Sequence, residues 1–227
     1  MKRGKKYREA AKKLVAGKAY TVGEACELVK SMSYAKFDES VELHVKLNLK
    51  KSQTVRDTLV FPNNFGKEKK ILVFARDDKA QEAKDNGASY VGDMDLIEKI
   101  RGGWDDFDIC VSTPDMMKEV GKLGPILGRR GLMPNPKTHT VTTDIKGALA
   151  ELKKGRVEFR ADKIGVVHLV VGKVSMDARK LEENAALAID EIEKRRPQDA
   201  KGVFIESIAL CSSMSPGVSI INASATA

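Results

Sequence analysis

The chain is poor in cysteine, with three residues among 227, and poor in aromatics, which make up 5% and include a single tryptophan. Cys26, Cys110 and Cys211 are odd in number and far apart, so they form neither a disulfide framework nor a CxxC metal knuckle and read as reduced, small packing residues. No apolar run approaches the roughly 18 residues that a membrane span needs. The basic N-terminus has no apolar centre of the kind a signal peptide carries. A cytoplasmic protein without membrane contact is expected. Enzymatic fingerprints are scarce as well. Arg129 follows Gly128 where a GxxxxGK[ST] phosphate loop would continue, and Ala75-Arg76-Asp77-Asp78 stands where GxGxxG would open a dinucleotide site. His44, His139 and His168 are widely separated in sequence and none lies in HExxH or other ligand spacing, which favours surface or structural roles. Asp105, Asp106 and Asp108 lack the full spacing of a calcium loop and read as a solvated turn. No catalytic residue, metal or cofactor is expected.

Positive charge is present, and unevenly. The net charge is +8, yet residues 69–158 hold 16 Lys and Arg against 15 Asp and Glu, leaving 24 against 17 for the two flanks. Nucleic acid is the commonest partner for such an excess, because each neutralised phosphate releases counterions. The first thirteen residues carry Lys2, Arg3, Lys5, Lys6, Arg8, Lys12 and Lys13 against Glu9 alone. A tail of this kind is expected to order only on an anionic surface.

Hydrophobic periodicity separates the flanks from the middle. Val41, Leu43, Val45, Leu47 and Leu49 alternate with Glu42, His44, Lys46 and Asn48, which predicts a strand with one face on a core and the other exposed. Residues 166–171 and 203–210 also read as strands. Between them Leu181, Ala185, Ala188, Ile189 and Ile192 recur at helical spacing, with Asp177 at the start and Lys194, Arg195 and Arg196 at the end, where each charge suits the helix dipole. The flanks therefore predict α+β structure. The middle alternates strand and helix: strands at 71–75, 90–91 and 107–111, helices at 77–86 and 95–100, a helix opened by Thr113-Pro114-Asp115, and a last one at 144–154. That is the pattern of a parallel sheet covered on both faces. Two domains follow: an outer α+β domain from residues 1–68 and 159–227, and an inserted Rossmann-like three-layer α/β domain at 69–158. The joints fall at Gly66–Lys70 and Lys153–Arg156, both polar and glycine-bearing.

Two stretches suit binding. Residues 124–137 hold three glycines, three prolines, the Arg129–Arg130 pair and Lys137, and read as a stiff loop suited to phosphate or carboxylate. Lys36 and Phe37 lead into the alternating strand, so Phe37 could share a surface with the even-numbered polar face, stacking on a base while hydroxyls and carboxylates read 2′-OH groups. A core role for Phe37 is an equal alternative on physics alone. Ser212–Gly217 is a small-residue turn that lets RNA approach the backbone, with Ser213 and Ser215 as donors, or else only a bend that ends a strand.

Ala35–Glu42, Gly131–Lys137, Phe159–Lys163 and Ser213–Pro216, taken in order, resemble the bacterial large-subunit ribosomal protein L-one family of the mobile ribosomal stalk. The resemblance spans nearly the whole chain, and the proline-rich motif is its most specific part. It implies a discontinuous RNA-binding domain with an inserted Rossmann-like domain, present as a monomer within the ribosome. It further implies that Lys36, Phe37, Ser40, Glu42, Ser213, Met214, Ser215 and Pro216 contact large-subunit ribosomal RNA, with Lys46 and His168 as additions. Arg129, Arg130 and Lys137 would lie toward exit-site tRNA as the stalk moves. Repression of its own operon through a messenger RNA mimic of the ribosomal site is implied too. Where the family usually reads Thr-Met-Gly-Pro followed by a basic residue, this chain has Ser213, then Ser215 for the glycine, and Ser219 for the basic residue. Two other classes stay open on the residues alone: a nucleotide-dependent enzyme built on the middle sheet, and a basic DNA-binding regulator, although no helix-turn-helix or finger pattern is visible.

Overall fold

The period of two at Val41 becomes a strand whose odd residues are all buried and whose even residues all keep contact with solvent. The computed structural model describes residues 3–15, 17–50, 53–66, 69–198 and 202–222. Lys2 of the basic tail and Lys67 and Glu68 of the first joint lie outside them. In chain order the elements begin with α1 (Lys5–Ala11), α2 (Val22–Met32), β1 (Ser40–Leu47), β2 (Arg56–Val60), β3 (Ile71–Phe74), α3 (Asp77–Asp85), β4 (Tyr90–Gly92) and α4 (Met94–Arg101). They continue with β5 (Ile109–Ser112), α5 (Met117–Val120), α6 (Gly124–Arg130), α7 (Ile145–Lys153), β6 (Arg156–Arg160), β7 (Val166–Lys173), α8 (Ala178–Lys194), β8 (Ile205–Ser212) and β9 (Val218–Ile220). The chain divides into two compact units, one from both ends up to Phe65 and from Val157 onward, the other Gly66–Arg156.

In the unit made of both ends, four strands form one sheet in the order β7-β1-β8-β9, antiparallel throughout. Its inner face packs on α2 and α8. α2 is started by a capping box: Thr21 accepts from the Glu24 amide at 3.3 Å while Glu24 accepts from the Thr21 amide at 2.9 Å. α8 presents Leu181, Ala185, Ala188 and Ile192 to the sheet, as their spacing requires. Burial of this apolar stripe, at about 25 cal/mol per Å², is what holds the layers together. The outer face stays open. β2 and β6 make a separate two-stranded ribbon. The basic N-terminal segment does not wait for an anionic partner: it forms α1, whose Ala10 joins the core.

The inserted unit has a three-stranded parallel sheet in the order β4-β3-β5. β3 is buried at all four positions. Leu72 and Phe74 join a cluster with Leu96, Ile100, Val120 and Leu127, while Ile71 and Val73 face Ala83, Ile145, Leu149 and Leu152. This is a three-layer arrangement with helices on both faces.

The reading of residues 124–137 as loop throughout is corrected. The first half is α6, because Pro125 occupies the first turn, where no intrahelical amide is required, and Leu127 fills the core. Gly131 then stops the helix at φ 72°, and the Leu132 amide closes back on the Leu127 carbonyl at 2.9 Å. Only the segment after Gly131 is irregular, with one 3-10 turn at Pro136–Thr138. Thr113 likewise makes no side-chain cap to the turn it precedes. Asp105, Asp106 and Asp108 are taken up by protein partners: Arg130 pairs with Asp105, Lys70 with Asp106, and the Lys70 amide donates to Asp108 at 2.9 Å.

Candidate nucleic-acid interface

The outer face of the four-stranded sheet is set by register. Glu42 lies between Val170 of β7 and Cys211 of β8, His44 between His168 and Ala209, and Lys46 between Val166 and Ser207. Alternation sends all of these side chains to the open side. His44 and His168 are therefore not apart: their Nδ1 atoms are 2.7 Å from each other, and His44 Nε2 is 3.2 Å from Cys211 Sγ. Desolvation, then the neighbouring His168, lower the His44 pKa against the opposing pull of Glu42. Burial, reinforced by Glu42, pushes the Cys211 thiol up. Lys46 donates to the carbonyl of Ile164.

Two loops meet at one end of this sheet. Residues 33–39 bring Lys36 and Phe37, and residues 212–217 bring Ser213 and Met214. Phe37 is 57% exposed and Met214 48% exposed, large apolar side chains in open solvent. The loops are bonded to one another. Ser213 donates its amide to the Ser40 carbonyl at 3.0 Å and accepts from the Ser40 amide at 3.1 Å, and the Tyr34 hydroxyl donates to the Met214 carbonyl at 2.8 Å. Lys173 donates to the Ser40 hydroxyl at 2.8 Å, and Ser175 fixes Asp38 through amide and hydroxyl.

Beneath both loops lies Glu39, 0% exposed. Its carboxylate accepts from the Ser33 hydroxyl (2.9 Å), the amides of Tyr34 (3.2 Å), Ala35 (2.9 Å) and Met214 (3.1 Å), and the Ser212 hydroxyl (2.5 Å). Burial pushes this carboxyl up, but the hydrogen bonds from Ser212, Ala35, Ser33 and Met214 outweigh burial and hold it below the usual carboxylate range. Glu39 was not singled out from the sequence, although a signal existed. It is in phase with Val41 and Leu43, so the alternation carried back one step places residue 39 on the buried face.

Two expected contacts are placed differently. Pro216 is buried, so it shapes the turn more than it offers surface. The Ser215 hydroxyl accepts from the Ser212 amide at 2.9 Å and donates to the Pro216 carbonyl at 3.2 Å, so it is spent inside the turn. The seryl side chain does the local bonding that a glycine there would forgo. In the inserted unit, Arg129 is exposed and Arg130 is held by Asp105. The Lys137 side chain lies outside the described residues.

An open, half-apolar sheet end with presented aromatic and thioether groups is the geometry of a binding protein. The chain belongs to the ribosomal protein L1p/L10e family, whose model matches residues 29–216. It is similar to the large ribosomal subunit protein uL1 of Treponema denticola, at 60% identity over 96% of each chain. The protein of the same name from Borrelia hermsii is 58% identical over 96% of this chain and 98% of its own, and that of Borreliella burgdorferi strain B31 is 56% identical over 96% and 97%. Membership makes this a non-enzymatic ribosomal protein and removes the nucleotide-enzyme and DNA-regulator readings. Among the described residues no helix is long and apolar enough to cross a membrane.

Proposed function

We propose that this protein, a structural constituent of the large ribosomal subunit, holds ribosomal RNA through the unit built from both chain ends. Lys36, Phe37, Ser40, Glu42, Ser213 and Met214 make the principal surface, and Lys46 and His168 extend it along the sheet. The exposure of Phe37 and Met214 on two loops tied together by one buried carboxylate is the observation that carries this reading. A-form RNA hides its major groove, so a protein reads the shallow minor groove, 2′-hydroxyls and irregular loops by shape. A preformed surface suits that task, because little ordering entropy is lost on binding. Acidic Glu42 and Asp38 stand within the surface, so recognition rests on fit more than on net charge.

Phe37→Ala and Met214→Ala are each expected to weaken binding to the folded stalk fragment of large-subunit ribosomal RNA by about 1–3 kcal/mol. Filter binding with a scrambled RNA of equal length as competitor, at low and high salt, measures this. Unchanged affinity in both variants, shown folded by circular dichroism, would remove the surface. Equal, salt-sensitive binding to both RNAs would reduce it to a general polyanion site.

The division of labour belongs to the same proposal. The inserted unit, with Arg129, Arg130 and Lys137, serves movement and release of exit-site tRNA, and the RNA face also represses the protein's own operon by binding its messenger RNA. A chain in which residues 66–156 are replaced by a short Gly/Ser linker is expected to unfold cooperatively and to keep the parent's affinity for the ribosomal fragment. Failure to fold, or loss of affinity in the folded protein, would mean that the two units do not divide structure and binding in this way.

A further inference from the structure

The cross-strand cluster on the open sheet face joins Glu42 to His44 and Cys211, which the RNA reading leaves without a role, and its chemistry is that of a metal ligand set. Glu42 and His44 are two residues apart on β1 and so share a face, and Cys211 is directly opposite Glu42 on β8. His44 Nε2 is 3.2 Å from Cys211 Sγ and 3.8 Å from Glu42 Oε2, and the donor atoms of all three residues lie within 4.8 Å of one another. Tetrahedral zinc, with bonds of about 2.0–2.3 Å to nitrogen, oxygen and sulfur, sets its ligand atoms about 3.3–3.6 Å apart. The 3.2 and 3.8 Å separations from His44 Nε2 bracket that spacing.

The surroundings are those of a supported ligand. A ligating histidine usually hydrogen-bonds through its other ring nitrogen, which fixes the tautomer. Here His44 Nδ1 meets His168 Nδ1 at 2.7 Å, and His168 Nε2 faces Asp162 Oδ2 at 3.8 Å. Asp162 is fixed in turn by the amides of Ile164 and Val166 at 2.9 and 2.7 Å. With the proton of His44 on Nδ1 and donated to His168, the Nε2 lone pair points toward Cys211 and Glu42. Thiolate, imidazole and carboxylate together select zinc-class ions over magnesium or calcium, which prefer all-oxygen sites.

We propose that Glu42, His44 and Cys211 form a three-ligand site for a divalent zinc-class ion, with solvent in the fourth position, and that its occupancy excludes RNA from this face because Glu42, held on the metal, no longer serves as an RNA contact. On binding, the Cys211 S–H bond breaks, its proton passes to solvent, and the metal–sulfur bond forms without change of oxidation state. The ligand set stands on geometry alone; the exclusion rests on the RNA-binding reading given above.

The test uses the full chain, stripped of metal and titrated with Co²⁺. One equivalent is expected to produce a thiolate-to-cobalt charge-transfer band and tetrahedral visible bands, both abolished by Zn²⁺. Cys211→Ser and His44→Ala should remove the bands, and Glu42→Gln should weaken binding. His168→Ala should lower affinity about 10–100-fold, as expected for a residue that orients a ligand. Absence of the bands, or bands that survive Cys211→Ser in a folded protein, would overturn the site. Zn²⁺ at ten times its own dissociation constant should then lower the apparent RNA affinity about tenfold by competition. Undiminished RNA binding by the metal-loaded protein would overturn the exclusion. The cobalt spectrum is read without RNA, so failure of the site and failure of the RNA surface are separately visible.

Discussion

Glu39→Ala is expected to lower the free energy of unfolding by about 3–5 kcal/mol, at the upper end for a single substitution. The expectation comes from what is left behind. Five donors from four loop residues and the end of β8 converge on this one carboxylate, and three of them are backbone amides that cannot turn elsewhere. A buried donor that loses its acceptor costs about 1–3 kcal/mol, and hydrogen bonds to a charged group stand at the high end. The cavity adds to this, because the site is closed to solvent. Binding should suffer more than for either surface variant, since the loops bearing Phe37 and Met214 lose the group that joins them. Urea unfolding and the RNA titration measure the two effects. Normal stability together with full RNA affinity would refute the role given to Glu39.

The same carboxylate makes a pH signature. Its folded pKa lies below the ordinary value of 4.5, so its contribution is fully present above that value and is lost as pH falls through the lowered one. The stability gap between parent and Glu39→Ala should therefore be wide at neutral pH and narrow on acidification below the folded pKa. A gap that stayed constant across that range would mean that the ionised form is not what the loops require.

Much of this architecture was legible because periodicity reports burial directly. The alternation from Val41, the stripe from Leu181 to Ile192 and the apolar run at Ile71 each correspond to a strand or helix within a few residues. What stayed hidden has physical causes. β2 and β6 are short, β2 mostly half-exposed and β6 buried at Arg156 and Phe159 alone, so their patterns are broken by Arg, Asp and Glu. α2 is different, because its Thr21-x-x-Glu24 start is a local signature that the sequence carries in full. Proline and glycine in residues 124–131 interrupt a helix only in its interior, and here proline stands in the first turn and Gly131 just beyond the last one. The approach of His44 to His168 and Cys211 depends on register between strands far apart in sequence. Alternation can place each on a face, but it cannot say which neighbour each will meet.

Asn184→Leu is the second substitution with a large expected effect, and it separates stability from binding. Asn184 sits within the apolar stripe of α8 and is 0% exposed. Its amide donates to the Val171 carbonyl at 2.8 Å and the Asn63 carbonyl at 3.0 Å, and its carbonyl accepts from the Asn63 amide at 3.2 Å. One side chain thus fastens the segment after β2 to both α8 and β7. Leucine repeats the branching of asparagine with bulkier methyl groups, so no cavity is left and the loss combines the three backbone groups left without partners with some overpacking. About 3–5 kcal/mol is expected, read as a lowered urea midpoint with an unchanged slope. The substituted side chain lies in the buried layer of α8, and Val171 is buried beside exposed Val170, so the change is made on the side of the sheet away from the open face. Below its unfolding transition the variant should therefore bind the ribosomal fragment as the parent does. A loss of affinity in the folded variant would mean that the inner layer sets the shape of the RNA surface. The division between a face that recognises and a core that merely supports it would then not hold.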